Sequence, residues 1–342
     1  MRIRSVLGLV LASIAVLPLA PQPRPRTYVV KATPPNVEWG YFDPFRKPIL
    51  TIRSGDIVEV ETPLAGSREM EDLGMPGSLI RPSMRELEAQ VKDRSATYGN
   101  MLVGPIAVED AEPGDVLEVR ILDVRPADNY ALNVFHPGGG TLPAEFPYAA
   151  ARAIPLDLRR NVALFAPGIE IPLAPFFGTM GVAPSTMVGR ISDRAPGYYA
   201  GNLDNKHLVA GSTLYIPVQC AGALFSVGDG HVGQGDGEVD GTAIEAALRG
   251  TFEFRLRKKG NLRWPRAETP DAYMTMGFDP DLNAAAQMAV HEMVGYLVSE
   301  RGLSRGDAYM LCSMAVDLQV TEVVDGTKVV QAVLPKRIFQ RW

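Results

Sequence analysis

Proline and glycine interrupt this chain 28 and 33 times in 342 residues, and that punctuation constrains its fold more than any other feature. Proline removes a backbone donor and glycine is entropically costly inside a helix. The pattern therefore predicts many turns and short strands rather than a helical bundle. Period-two stretches agree. Ile57-Val58-Glu59-Val60-Glu61 follows a Ser54-Gly55-Asp56 turn and alternates apolar with charged residues, as a half-exposed strand does. A similar unit recurs at Pro113-Gly114-Asp115 followed by Val116 to Leu122. Ser212 to Val218 and Thr251 to Arg257 also read as strands. Phe135 to Pro143 and Pro172 to Pro184 read as loops, and one short helix is expected around Ser83 to Val91.

The C-terminal third changes character. Ala286, Ala289, Met293 and Leu297 fall at helical spacing within Asp281 to Arg301, and Gly302 ends that helix. Ser304 and Asp307 form a short-acid capping box for a second helix running through Val316. Strands over Leu318 to Val324 and Lys328 to Pro335 are expected to join at Asp325-Gly326. Sheets early and helices late make the fold class α+β.

A length of 342 residues implies two sub-structures or one elaborated domain. The 46% hydrophobic and 21% charged composition is that of a globular chain. A net charge of −5 without a basic block excludes nucleic acid as the expected partner. Arg2 and Arg4, followed by the uncharged stretch Val6 to Ala20 and then Pro21, Pro23 and Pro25, read as an export signal. The expected destination is the periplasm or the exterior, with an uncleaved anchor as the alternative. Cys220 and Cys312 both sit in apolar surroundings and are expected as buried free thiols.

Chemistry concentrates between Phe225 and Glu238. From Asp229 to Glu238 the chain packs three acids, one imidazole and one carboxamide among four glycines. Read as a flexible loop, this stretch lets a small molecule or ion approach the backbone. Asp229, His231 and Glu238 suit a divalent metal such as zinc, or equally an acid/base pair. Gly201-Asn202-Leu203-Asp204-Asn205 is a second polar knot, readable as a turn or as the source of a further oxygen ligand at Asp204. Of the other histidines, His136 is a pocket-lining candidate and His207 reads as a surface residue. His291-Glu292 lacks the second histidine of a zinc-protease helix. The Gly-x-Gly-x-x-Gly at Gly228 to Gly233 is a spurious dinucleotide match, since no helical pattern follows it.

Several spaced segments carry a resemblance. They are Trp39-Gly40 with Asp43, Gly104-Pro105, Glu112-Pro113-Gly114-Asp115, Gly178-Thr179-Met180-Gly181, Gly201 to Asn205, Gly228-Asp229-x-His231-x-x-Gln234-Gly235-Asp236-Gly237-Glu238 and Tyr309 to Ser313. In that order they resemble the acetamidase/formamidase family of amide hydrolases, from about Val37 to Phe339. The resemblance implies a β-rich α+β protein, with a β-sandwich or barrel-like part completed by a C-terminal α+β subdomain. Expected boundaries are 1–26 for the signal and proline-rich linker, 27–265 for the β-rich catalytic domain and 266–342 for the subdomain. It implies hydrolysis of a carboxamide C–N bond with the help of a divalent metal, expected to be zinc. Asp229, His231, Asp204 and Glu38 are then the expected metal ligands, and Glu238 and His231 the catalytic residues. Asn202, Gln234, His136 and Gly230 are expected at the substrate. Two positions depart from the family pattern: Glu38 and Asn100 stand where many members carry histidine. An exported binding protein that has lost hydrolysis is the alternative reading. The expected partners are a small amide and further copies of the chain in a homo-oligomer, with no membrane span once the signal is removed.

Overall fold

The computed structural model describes residues 24–64, 66–72, 74–91, 96 and 99–339. Residues 1–23, which carry the expected export signal, lie outside that set. Among the described residues no helix is long and apolar enough to cross a membrane.

Strands dominate, and most belong to two sheets. One has nine strands and includes Ile57–Thr62, Val116–Pro126, Thr213–Pro217 and Leu248–Arg257. The other is built on Val37–Trp39, Met101–Val108, Phe176–Val182, Ala200–Asn202 and Phe225–His231. The inner faces interlock through aromatic rings. Phe225 of the second sheet meets Phe254 of the first at 5.1 Å between centroids, and Phe177 meets Phe252 at 5.4 Å. All four rings are fully buried in one continuous core. The result is a sandwich, and its sheets do not close into a barrel.

Four α-helices occur among the described residues: α1 (Ser67–Asp72), α2 (Pro82–Gln90), α3 (Leu282–Arg301) and α4 (Arg305–Ala315). The expected short helix is α2, whereas α1 lacked a periodic signal. The Asp281 carboxylate caps α3 by accepting from the Asn283 and Ala284 amides, and Gly302 closes the helix in the left-handed conformation. Ser304 caps α4. Helix α3 lies on the strands Ala272–Asp279 and Lys328–Pro335, which extend the nine-stranded sheet. Its Ala285, Ala289 and Met293 form a second core with Val330, Ala332 and Leu334. Cys220 and Cys312 are buried and free.

Two stretches expected as loops are strands. Phe176–Val182 is buried at every position, and Phe225–His231 is the neighbour on which it pairs. Their glycines serve close approach rather than turning. A Cβ on Gly228 would stand 2.5 Å from the Met101 carbonyl oxygen, and one on Gly230 would stand 2.4 Å from that of Ala246.

Candidate functional site

His231 ends the strand Phe225–His231 and is wholly buried, its ring meeting the Phe176 ring edge-on at 5.0 Å. Its orientation is set from behind by Gln234. The Gln234 amide nitrogen donates to the main-chain oxygen of Asp204 at 2.7 Å and to that of Thr321 at 3.4 Å. The Gln234 oxygen is thereby turned to the ring, 2.9 Å from Nδ1. An oxygen there requires a hydrogen on Nδ1, which leaves the lone pair of the neutral ring on Nε2.

That nitrogen faces carboxylates. Glu245 Oε2 lies 3.2 Å away, Asp229 Oδ1 3.4 Å and Glu238 Oε1 3.9 Å. These oxygens stand around Nε2 at ion-pair distance, and it makes no hydrogen bond. Asp204 Oδ1, fully buried nearby, has none either. The potential ligand atoms fall into two groups sharing the imidazole, Asp204–His231–Glu238 and Asp229–His231–Glu245, each within 4.8 Å. Gly178 makes the room. A Cβ there would stand 2.4 Å from Asp204 Oδ1, 2.5 Å from Asp229 Oδ2 and 2.9 Å from His231 Cε1.

The electrostatics of this cluster are unbalanced. Burial pushes the Asp204 and Glu238 carboxyls well above the usual range, helped at Asp204 by the charges of Glu238 and Asp229 and at Glu238 by those of Glu245 and Asp229. Glu245 is raised mainly by burial. Burial disfavours charge on the His231 ring, yet Glu245 and Asp229 outweigh it and hold its pKa well above the ordinary histidine value. Either a proton or a cation must sit between the imidazole and the acids. Backbone strain gathers here too: Asp204, Asp229 and Glu238 adopt positive φ of 41°, 58° and 48°, which side chains other than glycine take up at a cost of about 1–3 kcal/mol.

A polar network ties the cluster to the second sheet. Asn202 Nδ2 donates to Asp204 Oδ2 and to Asp325 Oδ2, both at 2.7 Å. Its oxygen accepts from Thr179 Oγ1 and, at 3.4 Å, from Asn100 Nδ2. The Asn100 main-chain N–H donates to Asp193 Oδ2 at 2.8 Å, and burial lifts the Asp193 carboxyl to about 7. Asp325 is raised to about 6 by burial and by Asp229, and Arg194 Nε lies 3.8 Å from it. A cavity of about 320 Å³ opens above this floor, lined by Asn100, His136, Asn202, Asp229, Gly230, Glu238 and Glu245 among others.

The structure thus gathers Asp204, Asp229, His231 and Glu238 from the sequence-derived set, with Asn202, Gly230 and His136 on the cavity wall. Two members stand elsewhere. Glu38 is held by Arg46 at 3.0 Å and belongs to neither ligand group. Gln234 lies behind the imidazole, its amide spent on orienting the ring. His207 is half-buried, with Nε2 4.0 Å from Asp236. Sequence reasoning missed Glu245 and Asp325. Glu245 carried one signal, a lone acid inside the apolar run Ala243 to Leu248. Asp325 read only as a turn residue.

Fold and site together define a β-sandwich with a histidine–carboxylate centre at the base of a cleft. The chain belongs to the Acetamidase/Formamidase family, whose model matches residues 70–195 and 190–341. Among solved structures it resembles a predicted acetamidase/formamidase from the thermophile Thermoanaerobacter tengcongensis, at 28% identity and a TM-score of 0.80, covering 92% of this chain and 97% of that one. An acetamidase from Yersinia enterocolitica matches at 29% identity and a TM-score of 0.79, covering 93% and 94% respectively. A formamidase of Methylophilus methylotrophus is 30% identical over 202 residues, 44% of this chain and 49% of its own length. The chain spans about half the length of the curated relatives it matches.

Proposed function

We propose that this chain hydrolyses the C–N bond of a carboxamide to a carboxylate and ammonia or an amine, assisted by a divalent cation. The observation that carries the reading is the buried His231 Nε2, aimed without a hydrogen-bond partner into a ring of carboxylates. Imidazole nitrogen with carboxylate oxygen is a donor set that zinc accepts, in common with other first-row divalent ions. His231, Asp229 and Glu245 would hold it, with Asp204 beside them. Bound there, such an ion supplies Lewis acidity and brings the pKa of a water toward ~7.

The remaining steps fall to the protein. Glu238 lines the cavity, is 6% exposed, and has a carboxyl whose affinity for a proton is raised by burial. It takes a proton from the attacking water and returns it to the departing nitrogen, a contribution of about 10²–10⁴-fold. Asn202 and Asn100 stand on the same wall, their amides already tied to Thr179, Asp204 and Asp325. Such fixed dipoles orient a substrate amide without reorganising. Gln234 and Phe176 keep the imidazole in place.

The test combines elemental analysis of the purified protein with ammonia release from formamide, acetamide and a lactam panel. Glu238→Gln is expected to lower turnover by at least ~10²-fold while leaving metal content unchanged. Full turnover in that variant overturns the role of Glu238. Bound metal with no product from any amide would favour a binding protein that keeps this pocket.

A further inference from the structure

The cleft is larger than a short-chain amide requires. Its 320 Å³ falls in the roughly 300–1,000 Å³ range that encloses ligands of drug size. At about 30 Å³ per water the space holds on the order of ten, so formamide or acetamide fills a small part of it. Above the acidic floor the walls include Leu64, Met101, Leu132 and Val134.

A second cavity of about 310 Å³ adjoins the first and shares His136, Gly139, Gly140 and Asp240 with it. Its own lining is apolar, with Phe135, Leu142, Phe146 and Val239. Phe135 meets Phe146 at 5.6 Å and Tyr148 at 5.3 Å, both edge-on. Leu142, Phe146 and Tyr148 nevertheless stay 51%, 42% and 53% exposed. An exposed aromatic cluster is surface that a ligand or a partner covers, and the wall it shares with the cleft favours a ligand. The shared wall is held in shape. The Thr141 amide donates to the Val239 carbonyl at 2.8 Å, and a Cβ on Gly140 would stand 3.0 Å from that same oxygen. Glycines at 138–140 keep this wall free of side-chain bulk between His136 and the aromatic group.

We propose that the substrate is an amide bearing a sizeable apolar or aryl substituent, which leaves the acidic floor past His136 and lodges against Phe135, Leu142 and Phe146. This rests on the amidase reading above. The two are separated by a series of primary amides, from acetamide through hexanamide to phenylacetamide, assayed with the purified protein. Each methylene buried against the cluster is expected to raise kcat/KM about fourfold, the equivalent of ~0.8 kcal/mol. Phe146→Ala and Leu142→Asp, at exposed positions, are expected to lower kcat/KM for phenylacetamide about tenfold more than for acetamide. A flat series with active acetamide turnover overturns this proposal and leaves the amidase intact. Hydrolysis of no amide overturns the amidase, and calorimetry then decides the subsite on its own. Phenylacetate binding at least tenfold tighter than acetate supports it, and equal binding sinks it.

Discussion

Gln234 shows how one amide can decide the chemistry of an imidazole. Its two main-chain acceptors fix which end faces the ring, and that choice puts the free lone pair of His231 toward the acids. A partner that holds a ligating histidine in one tautomer typically matters by 10–100-fold in metal affinity. Gln234→Leu is therefore expected to weaken zinc binding by roughly that factor, read by competition with a chromogenic chelator. Unchanged affinity would show that the pocket orients His231 without it. The same residue illustrates what a linear reading does with spacing. Three positions from His231, Gln234 looked like one more group in the loop, and only the fold reveals that it points at the back of the ring. Asp229, by contrast, was legible as an acid between two glycines, whereas Asp204 was readable equally as a turn residue.

At the level of elements, helices were the easiest to read. The apolar spacing of α3, its Asp281 cap and its Gly302 terminus are all local, so the sequence pattern and the folded helix agree. The buried strands carrying the site were misread as loops for an equally physical reason. Glycine within a strand mimics a turn signal until its neighbours are known. Gly277 makes the point again where α3 crosses the sheet: a Cβ there would lie 1.9 Å from the Ala285 carbonyl oxygen and 2.6 Å from the Ala289 amide. Gly277→Ala is expected to destabilise the fold by about 1–3 kcal/mol or more, since helix and sheet must separate to admit it. Chemical denaturation measures this, and a loss under ~0.5 kcal/mol would mean the interface yields freely.

On the scale of the whole molecule, the site is a junction. Its acids arrive from the second sheet, from the segments 204–205 and 238–245 that flank it, and from the 323–327 turn of the C-terminal hairpin. Charges gathered this closely oppose folding until a proton or a cation neutralises them. A ligand confined to the native state stabilises it by about 2.7 kcal/mol at a hundred times its Kd. Thermal unfolding is accordingly expected to shift upward by on the order of 5 °C when zinc is added to chelator-treated protein. No shift with zinc or any other divalent ion would argue that a proton, not a metal, sits beside His231. The amino-acid sequence by itself determined the family, the α+β class, the late helices and most of the acids, because those depend on local spacing and residue chemistry. Only the tertiary structure decided that Glu245 and Asp325 join the site, that Glu38 pairs with Arg46 instead, and that glycine-rich segments are the sandwich's buried strands. Those outcomes depend on contacts between residues distant in the chain, such as His231 with Glu245 and Asn202 with Asp325, and no local pattern encodes a distance.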